Sequence, residues 1–183
     1  MSLPHLILGL LYRKPDSGYD LNKRFERTVA HFWTTDQSQI YRTLYKLLDK
    51  GWVEVEVVKQ DDNPDKKIYS VTESGMNTLV EWLQLPLKDN IVIRDASTGQ
   101  VYFGDALEPQ QLITIQEHYV EQGKEKLQSY YAVEQAVFAK VKVEEYPLGM
   151  ELAHATLQYG IQFLEMEIKW RKELIQRIEK REN

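Results

Sequence analysis

Gln39, Arg42, Thr43 and Lys46 share one side of a short segment through i, i+3, i+4 and i+7 spacing, and Asp49 and Lys50 continue the row. Their chemistry is hydrogen bonding to flat, acceptor-rich partners. A glutamine amide bonds adenine bidentately, and an arginine guanidinium bonds guanine or phosphate. The hydroxyls of Ser38 and Thr43 bond either. Lys46 suits phosphate positioning, which fixes register without reading sequence. On a lone helix such a row is most simply a solvated face, so the neighbouring elements decide.

The row needs a helix whose opposite side is buried. Ile40, Leu44, Leu47 and Leu48 recur at helical spacing. Thr34 with Gln37 has capping-box spacing, and Asp36 adds an acid at the positive end of the helix dipole. Gly51 stops the helix, because glycine takes the left-handed C′ conformation without penalty. Val53, Val55 and Val57 then alternate with Glu54 and Glu56, the period of a half-buried strand. Asp61 to Asp65 supplies the turn, since Pro64 cannot join a ladder. Ile68, Ser70 and Thr72 alternate with Tyr69 and Val71 on the return strand. A glycine-stopped helix directly before a hairpin is how a winged helix-turn-helix presents a recognition helix and a wing to DNA.

Three further helices complete that unit. Ser2 to Tyr12 forms the first, with Ser2 as N-cap and Pro4 in the first turn. Lys14-Pro15-Asp16 is a turn. Ser17 caps the second helix, which runs to about Ala30 with Tyr19, Leu21, Phe25 and Val29 inward. After the hairpin, Thr72 or Ser74 starts a helix with Met76, Leu79, Val80, Trp82 and Leu83 as apolar positions. Leu85 to Asn90 marks a boundary, giving a winged helix-turn-helix domain over 1–85 and a helical domain over 86–183. In the second, Ile91 to Gly104 is a weak helix, lowered in propensity by Ser97, Thr98 and Gly99. Glu108-Pro109 opens a long helix to about Val143, with Leu112, Ile115, Tyr119, Leu127, Tyr130, Tyr131, Val137 and Phe138 apolar. A turn at Glu144 to Gly149 leads to a last helix from about Met150 to Arg181.

That last helix carries two apolar stripes. Leu157, Ile161, Leu164, Ile168, Ile175 and Ile178 form one, broken at Arg171; Tyr159, Phe163, Met166, Trp170 and Leu174 form the other. A helix buried on one side needs only one stripe. Two suggest a homodimer, with Leu157, Ile161, Leu164, Ile168 and Ile175 as interface candidates. The expected fold class is mainly α: a winged helix-turn-helix with a two-stranded wing, plus an all-helical dimerisation domain.

The chain has 183 residues, 43% of them hydrophobic, and no cysteine. Disulfides and thiolate chemistry are therefore excluded. Leu6 to Tyr12 is too short an apolar run to span a membrane and lacks signal-peptide flanks, so a cytoplasmic protein is expected. The net charge of −5 argues against indiscriminate nucleic-acid binding. Binding DNA would need local clustering of Lys23, Arg24, Arg27, Arg42, Lys46, Lys66 and Lys67, in two copies.

The chain resembles the PadR family of bacterial transcriptional regulators, in the subgroup with a longer helical C-terminal domain. The residues that carry the resemblance begin with Ser17-Gly18-Tyr19-Asp20-Leu21, Phe32-Trp33 and Ser38-Gln39-Ile40-Tyr41-Arg42-Thr43-Leu44. Gly51-Trp52-Val53-Glu54, Lys67 to Gly75 and Tyr102-Phe103-Gly104-Asp105 follow in the same order. The resemblance implies a homodimeric repressor on a pseudo-palindromic operator. It implies release by a small, often aromatic, effector bound between the DNA-binding and dimerisation domains. By position it assigns Ser38, Gln39, Tyr41 and Arg42 to the DNA-facing helix and Tyr19 to the helix before it. The expected DNA-binding set is thus Tyr19, Ser38, Gln39, Tyr41, Arg42, Thr43, Lys46, Lys66 and Lys67. Two departures stand out. Asp61, Asp62 and Asp65 would repel phosphate at the wing tip, so either Lys66 and Lys67 make the wing contact alone or the wing barely touches DNA. Ser97-Thr98-Gly99 replaces bulky apolar residues common before the Tyr-Phe motif, and leaves space.

Other chemistries find little footing. His5, His31, His118 and His154 are scattered, and none pairs at i, i+4 metal spacing, so no metal or other cofactor is expected. There is no P-loop, no dinucleotide fingerprint and no nucleophile elbow, which leaves an enzyme without a motif. Aromatics mostly pack cores, but some could line an apolar cleft for a small molecule. The effector candidates are Tyr19, Trp33, Phe103, His154 and Tyr159. The alternative to a DNA-binding repressor is a winged-helix protein-interaction module, which the acidic wing favours.

Overall fold

The computed structural model describes residues 2–59, 66–87, 95–143 and 146–182. The chain divides into two compact units, Met1–Asn90 and Ile91–Asn183. The turn expected at Asp61 to Asp65 and the start of the helix expected from Ile91 lie outside the described residues.

The first unit contains α1 (Leu3–Arg13), β1 (Asp16–Ser17), α2 (Gly18–Thr28), α3 (Gln37–Asp49), β2 (Val53–Val58), β3 (Lys66–Val71) and α4 (Glu73–Gln84). Ile7, Leu8 and Leu11 of α1 lie at its centre, packed with Leu21, Phe25, Ile40, Leu44, Leu47, Val53, Tyr69 and Leu79. Outside α1, each helix gives the core one stripe at the 3.6-residue period. Tyr19 sits about 200° around α2 from Leu21. It is therefore exposed rather than inward, as are Val80 and Leu83 of α4.

The caps fix where the helices begin. Ser17 accepts from the Asp20 amide and Thr72 from the Gly75 amide. The α3 cap is Asp36 rather than Thr34. Its carboxylate accepts from the Gln39 amide at 2.7 Å, while Gln39 Nε2 donates back to it. A carboxylate there is also favoured by the helix dipole, which a threonine hydroxyl cannot match. Ser2 has a helical backbone and makes no side-chain cap. Gly51 has φ +68° and ends α3 in the left-handed region, where a side chain would be strained.

The sheet is antiparallel in the order β1-β3-β2, with Val53 opposite Val71 and Val55 opposite Tyr69. β1 adds a third strand to the expected two. Asp16 and Ser17 pair with Tyr69 and Ile68 where the spacing predicts only a turn. Of the alternating valines only Val53 is buried, because the ribbon runs out past the core and leaves Val55 and Val57 in solvent.

The second unit contains α5 (Ala96–Tyr102), a 3₁₀ turn (Gly104–Ala106), α6 (Pro109–Val133) and α7 (Leu148–Glu182). Pro109 and a Glu108–Gln111 capping box open α6. The expected helix to Val143 keeps α-helical hydrogen bonding only to Val133. One π-helical turn follows, Glu134–Phe138. α6 and α7 run antiparallel, with Gln116 beside Arg171 at one end and Phe138 beside His154 at the other. Ile113, Gln116, Val120, Phe138, Leu157, Ile161 and Arg171 are buried.

Candidate nucleic-acid interface

α3 is held by its apolar stripe, so its other side faces solvent by construction. Gln39 and Thr43 have their hydrogen bonds directed into the helix. Thr35 Oγ1 donates to Gln39 Oε1 at 3.1 Å, Gln39 Nε2 is engaged at the cap, and Thr43 Oγ1 donates to the Gln39 carbonyl at 2.7 Å. Ser38, Arg42 and Lys46 stand exposed. Arg42 Nε donates to the Ser38 carbonyl at 3.3 Å, which lays the guanidinium along the helix. Tyr41 is half-buried, with its ring against Gly18. A Cβ on Gly18 would lie 2.5 Å from the Tyr41 ring. Tyr45 is exposed on the row Ser38, Arg42, Tyr45. Its i+7 spacing from Ser38 is the sequence signal that places it there.

The basic cluster is less open than its composition suggests. Lys66 Nζ lies 2.6 Å from Asp20 Oδ2. The hydrogen bond from Lys66, then that from Ser17, holds the Asp20 carboxyl below its ordinary range, and the bond to Asp20 holds the Lys66 ammonium above its own. Arg24 lies 3.2 Å from Asp16 and donates to the Lys14 carbonyl at 2.8 Å. These two cations tie β1 and α2 to their neighbours. Arg27 and Lys67 remain exposed, and Lys23 lies over the Tyr19 ring at 4.3 Å.

The effector candidates fall in both units. Trp33 is half-buried against the first core and Tyr19 is exposed. Phe103 is 69% exposed and meets Tyr102 edge-on at 4.8 Å. Tyr159 is exposed on α7. His154 lies 3.0 Å from Glu134, stacks on Phe138 at 4.7 Å and lines a cavity of about 460 Å³ with Tyr146. The interface candidates also divide. Leu157 and Ile161 are buried in the second unit's own core, while Leu164, Ile168 and Ile175 are half-buried. The opposite stripe is the open one, with Tyr159 64%, Phe163 50% and Met166 54% exposed. Among the described residues, no group of His, Asp and Glu could hold a metal ion, and no helix is long and apolar enough to cross a membrane.

A capped α3 with a polar outer row, followed by an antiparallel ribbon, defines a winged-helix protein. The model of the transcriptional regulator PadR-like family matches residues 7–81, and that of the virulence activator alpha C-terminal family matches residues 93–179. Residues 7–81 thus form a PadR-like transcriptional-regulator domain. It is 44% identical over 87 residues to a probable transcriptional regulator of Mycobacterium tuberculosis, covering 48% of this chain and 46% of that protein. It is 34% identical over 111 residues to the negative transcriptional regulator PadR of Bacillus subtilis, covering 60% of each. The matched region thus spans about half the length of these curated relatives. The crystal structure of B. subtilis PadR with operator DNA superimposes with TM-score 0.83 at 25% identity, over 97% of this chain and 99% of that one. The structure of the same protein with p-coumaric acid shares the fold, with TM-score 0.77 at 24% identity over 98% and 99%. These relatives are regulators, not enzymes.

Proposed function

We propose that this chain is a homodimeric transcriptional repressor that binds a pseudo-palindromic operator and is released by a small aromatic effector. The observation that carries the reading is the exposed row Ser38, Arg42, Tyr45 and Lys46 on α3, whose opposite stripe Ile40, Leu44 and Leu47 is fixed in the core. An α-helix so held can enter a major groove with its polar row against base edges and phosphates. The operator complex of B. subtilis PadR supports the same use of this fold. Among the described residues of the wing Lys59 and Lys67 are exposed cations, while Lys66 reaches phosphate only by leaving Asp20.

The second copy docks through α7. Leu152, Tyr159, Phe163 and Met166 recur at i, i+7, i+11 and i+14 on one exposed face, a spacing suited to pairing with a second helix. This face takes the interface role that the spacing alone assigned to Leu157 and Ile161. A planar aromatic acid is the proposed effector, by analogy with the p-coumaric acid in the B. subtilis structure. It would act in the cytoplasm by population shift, favouring a dimer whose two α3 helices no longer match successive grooves.

Selection of bound DNA from a random pool, followed by gel shift at several salt concentrations, tests the reading. A two-fold-symmetric site released by phenolic acids is the expected result. Binding that is absent or indifferent to sequence would favour the protein-interaction module instead.

A further inference from the structure

Two departures noted in the sequence meet in the second unit. Arg171 interrupts an apolar stripe of α7, and Ser97 belongs to the small-residue run Ser97-Thr98-Gly99 of α5. Arg171 is 3% exposed. Its Nη1 donates to Gln116 Oε1 at 2.6 Å, and its Nη2 donates to Ser97 Oγ at 2.6 Å. Nη2 and Nε also reach Glu167 Oε1, at 2.6 and 3.2 Å. The guanidinium lies over the Tyr119 ring at 4.6 Å and beside the Trp170 ring at 5.4 Å.

This cluster has more donors than acceptors. A guanidinium carries five N–H groups, so one on Nη1 is left over after these bonds. Gln116 is fully buried, and among the described residues its Nε2 has no acceptor. Its amide cannot flip, because that would set Nε2 against the cation. Both unfilled donors therefore sit at the Arg171–Gln116 contact. A buried donor without a partner is destabilising and marks a place for an acceptor.

The cover over this cluster is thin. α5 buries none of its residues, and polar bonds hold it in place: Ser97 to Arg171, and Tyr119 Oη to Gln100 Oε1 at 2.8 Å. We propose that the Arg171–Gln116 pair is a binding site for a small organic carboxylate, which takes the unfilled Gln116 Nε2 and Arg171 Nη1 donors together with Nη2, displacing Ser97 from Nη2 and releasing α5. The inference deepens the ligand-responsive reading above and rests on it only for its regulatory consequence.

The acceptor's class follows from the donors. Two convergent N–H groups, one on a cation, match the two oxygens of a carboxylate. Charge-assisted bonds of that kind outcompete the neutral hydroxyl of Ser97. Glu167, the present counterion, has a side chain 29% exposed and can turn to water as the ligand arrives. The Tyr119 and Trp170 rings offer apolar surface to the ligand's organic body.

Calorimetric titration of the full chain with acetate, benzoate and phenylacetate tests this, together with amide hydrogen exchange over residues 96–102. The expected result is saturable binding of at least one acid at or below about 1 mM, with faster exchange in α5. Gln116→Glu supplies a carboxylate in place and should weaken binding roughly tenfold or more, while Ser97→Ala removes the competitor and should tighten it. Circular dichroism checks the folding of both, and if Gln116→Glu does not fold, the sign of the Ser97→Ala effect decides. The proposal is overturned if no acid binds, if α5 exchange is unchanged or slowed, if Gln116→Glu folds and binds as well as the unaltered chain, or if Ser97→Ala fails to tighten binding. Gel shifts on the same preparations separate the two claims. Intact DNA binding without carboxylate binding removes this inference alone, and carboxylate binding without DNA binding removes the repressor reading alone.

Discussion

Arg42 and Lys46 are neighbours on α3 with different expected roles. Arg42 lies along the helix beside Ser38, and its planar fork suits a base edge. Lys46 is a point charge nearer the C-terminal end and suits a phosphate. Arg42→Ala should cost about 1–3 kcal/mol of specific affinity and relax preference at one position of the site. Lys46→Ala should weaken all sequences alike and lower the salt slope by about 1. Gel shifts on selected and scrambled DNA, in a series of salt concentrations, distinguish these outcomes. Equal losses on both DNAs for Arg42→Ala would make it a phosphate contact. Gly18→Ala acts behind the row. The added Cβ would sit 2.5 Å from Cε1 of the half-buried Tyr41 ring, which must shift to admit it. Forcing that contact should cost about 1–3 kcal/mol in a denaturation curve.

The elements differ in how far their sequence announces them. α3 was legible because Ile40, Leu44 and Leu47 repeat at a period that only a helix satisfies, and Gly51 marks its end. Its cap slipped from Thr34 to Asp36, since spacing alone does not rank a hydroxyl below a carboxylate. β1 was not legible, because two residues carry no period. The pairing depends on Tyr69 and Ile68, which are distant in sequence. The same limit hid the Lys66–Asp20 pair, 46 positions apart, and the Arg171–Ser97 bond, 74 apart. Placement of the polar row on α3 followed from periodicity, whereas which of its members are already bonded needed three-dimensional structure.

α5 shows how a short element can depend on one carboxylate. Asp95 accepts from Thr98 Oγ1 at 2.5 Å and from Ser97 Oγ at 2.7 Å. These bonds, Thr98 first, lower its pKa from the ordinary 3.8 to about 2. A carboxyl with a lowered folded-state pKa stabilises the structure fully above its unfolded value. Its contribution therefore holds above about pH 4 and is lost as the pH falls toward 2. A carboxyl ¹³C titration of Asp95 should show the low midpoint. Asp95→Ala should raise amide exchange in α5 at neutral pH while leaving α6 protected. A normal Asp95 midpoint would mean that this cap does not hold.

For the whole molecule, charge and surface point the same way. A chain of net charge −5 gains DNA affinity by presenting its basic residues twice, which a dimer provides. The exposed face of α7 is the surface proposed for that contact. Phe163→Glu would bury an unpaired charge at such an interface and should give folded monomers by light scattering and circular dichroism. Ile161→Glu should instead unfold the second unit, because Ile161 is 7% exposed within the unit's own core. If Phe163→Glu leaves the assembly unchanged, α7's open face is not the contact.

The function proposed for this protein turns on sequence-specific DNA recognition by α3. Its most direct test is a single selection from a random duplex pool with the unaltered chain, with Arg42→Ala carried in parallel. The expected result is a two-fold-symmetric consensus whose half-sites lie about one helical turn, or a multiple of it, apart, with one position per half-site degraded by Arg42→Ala. No enrichment by the unaltered protein at low salt, or a consensus that Arg42→Ala leaves fully intact, would contradict it.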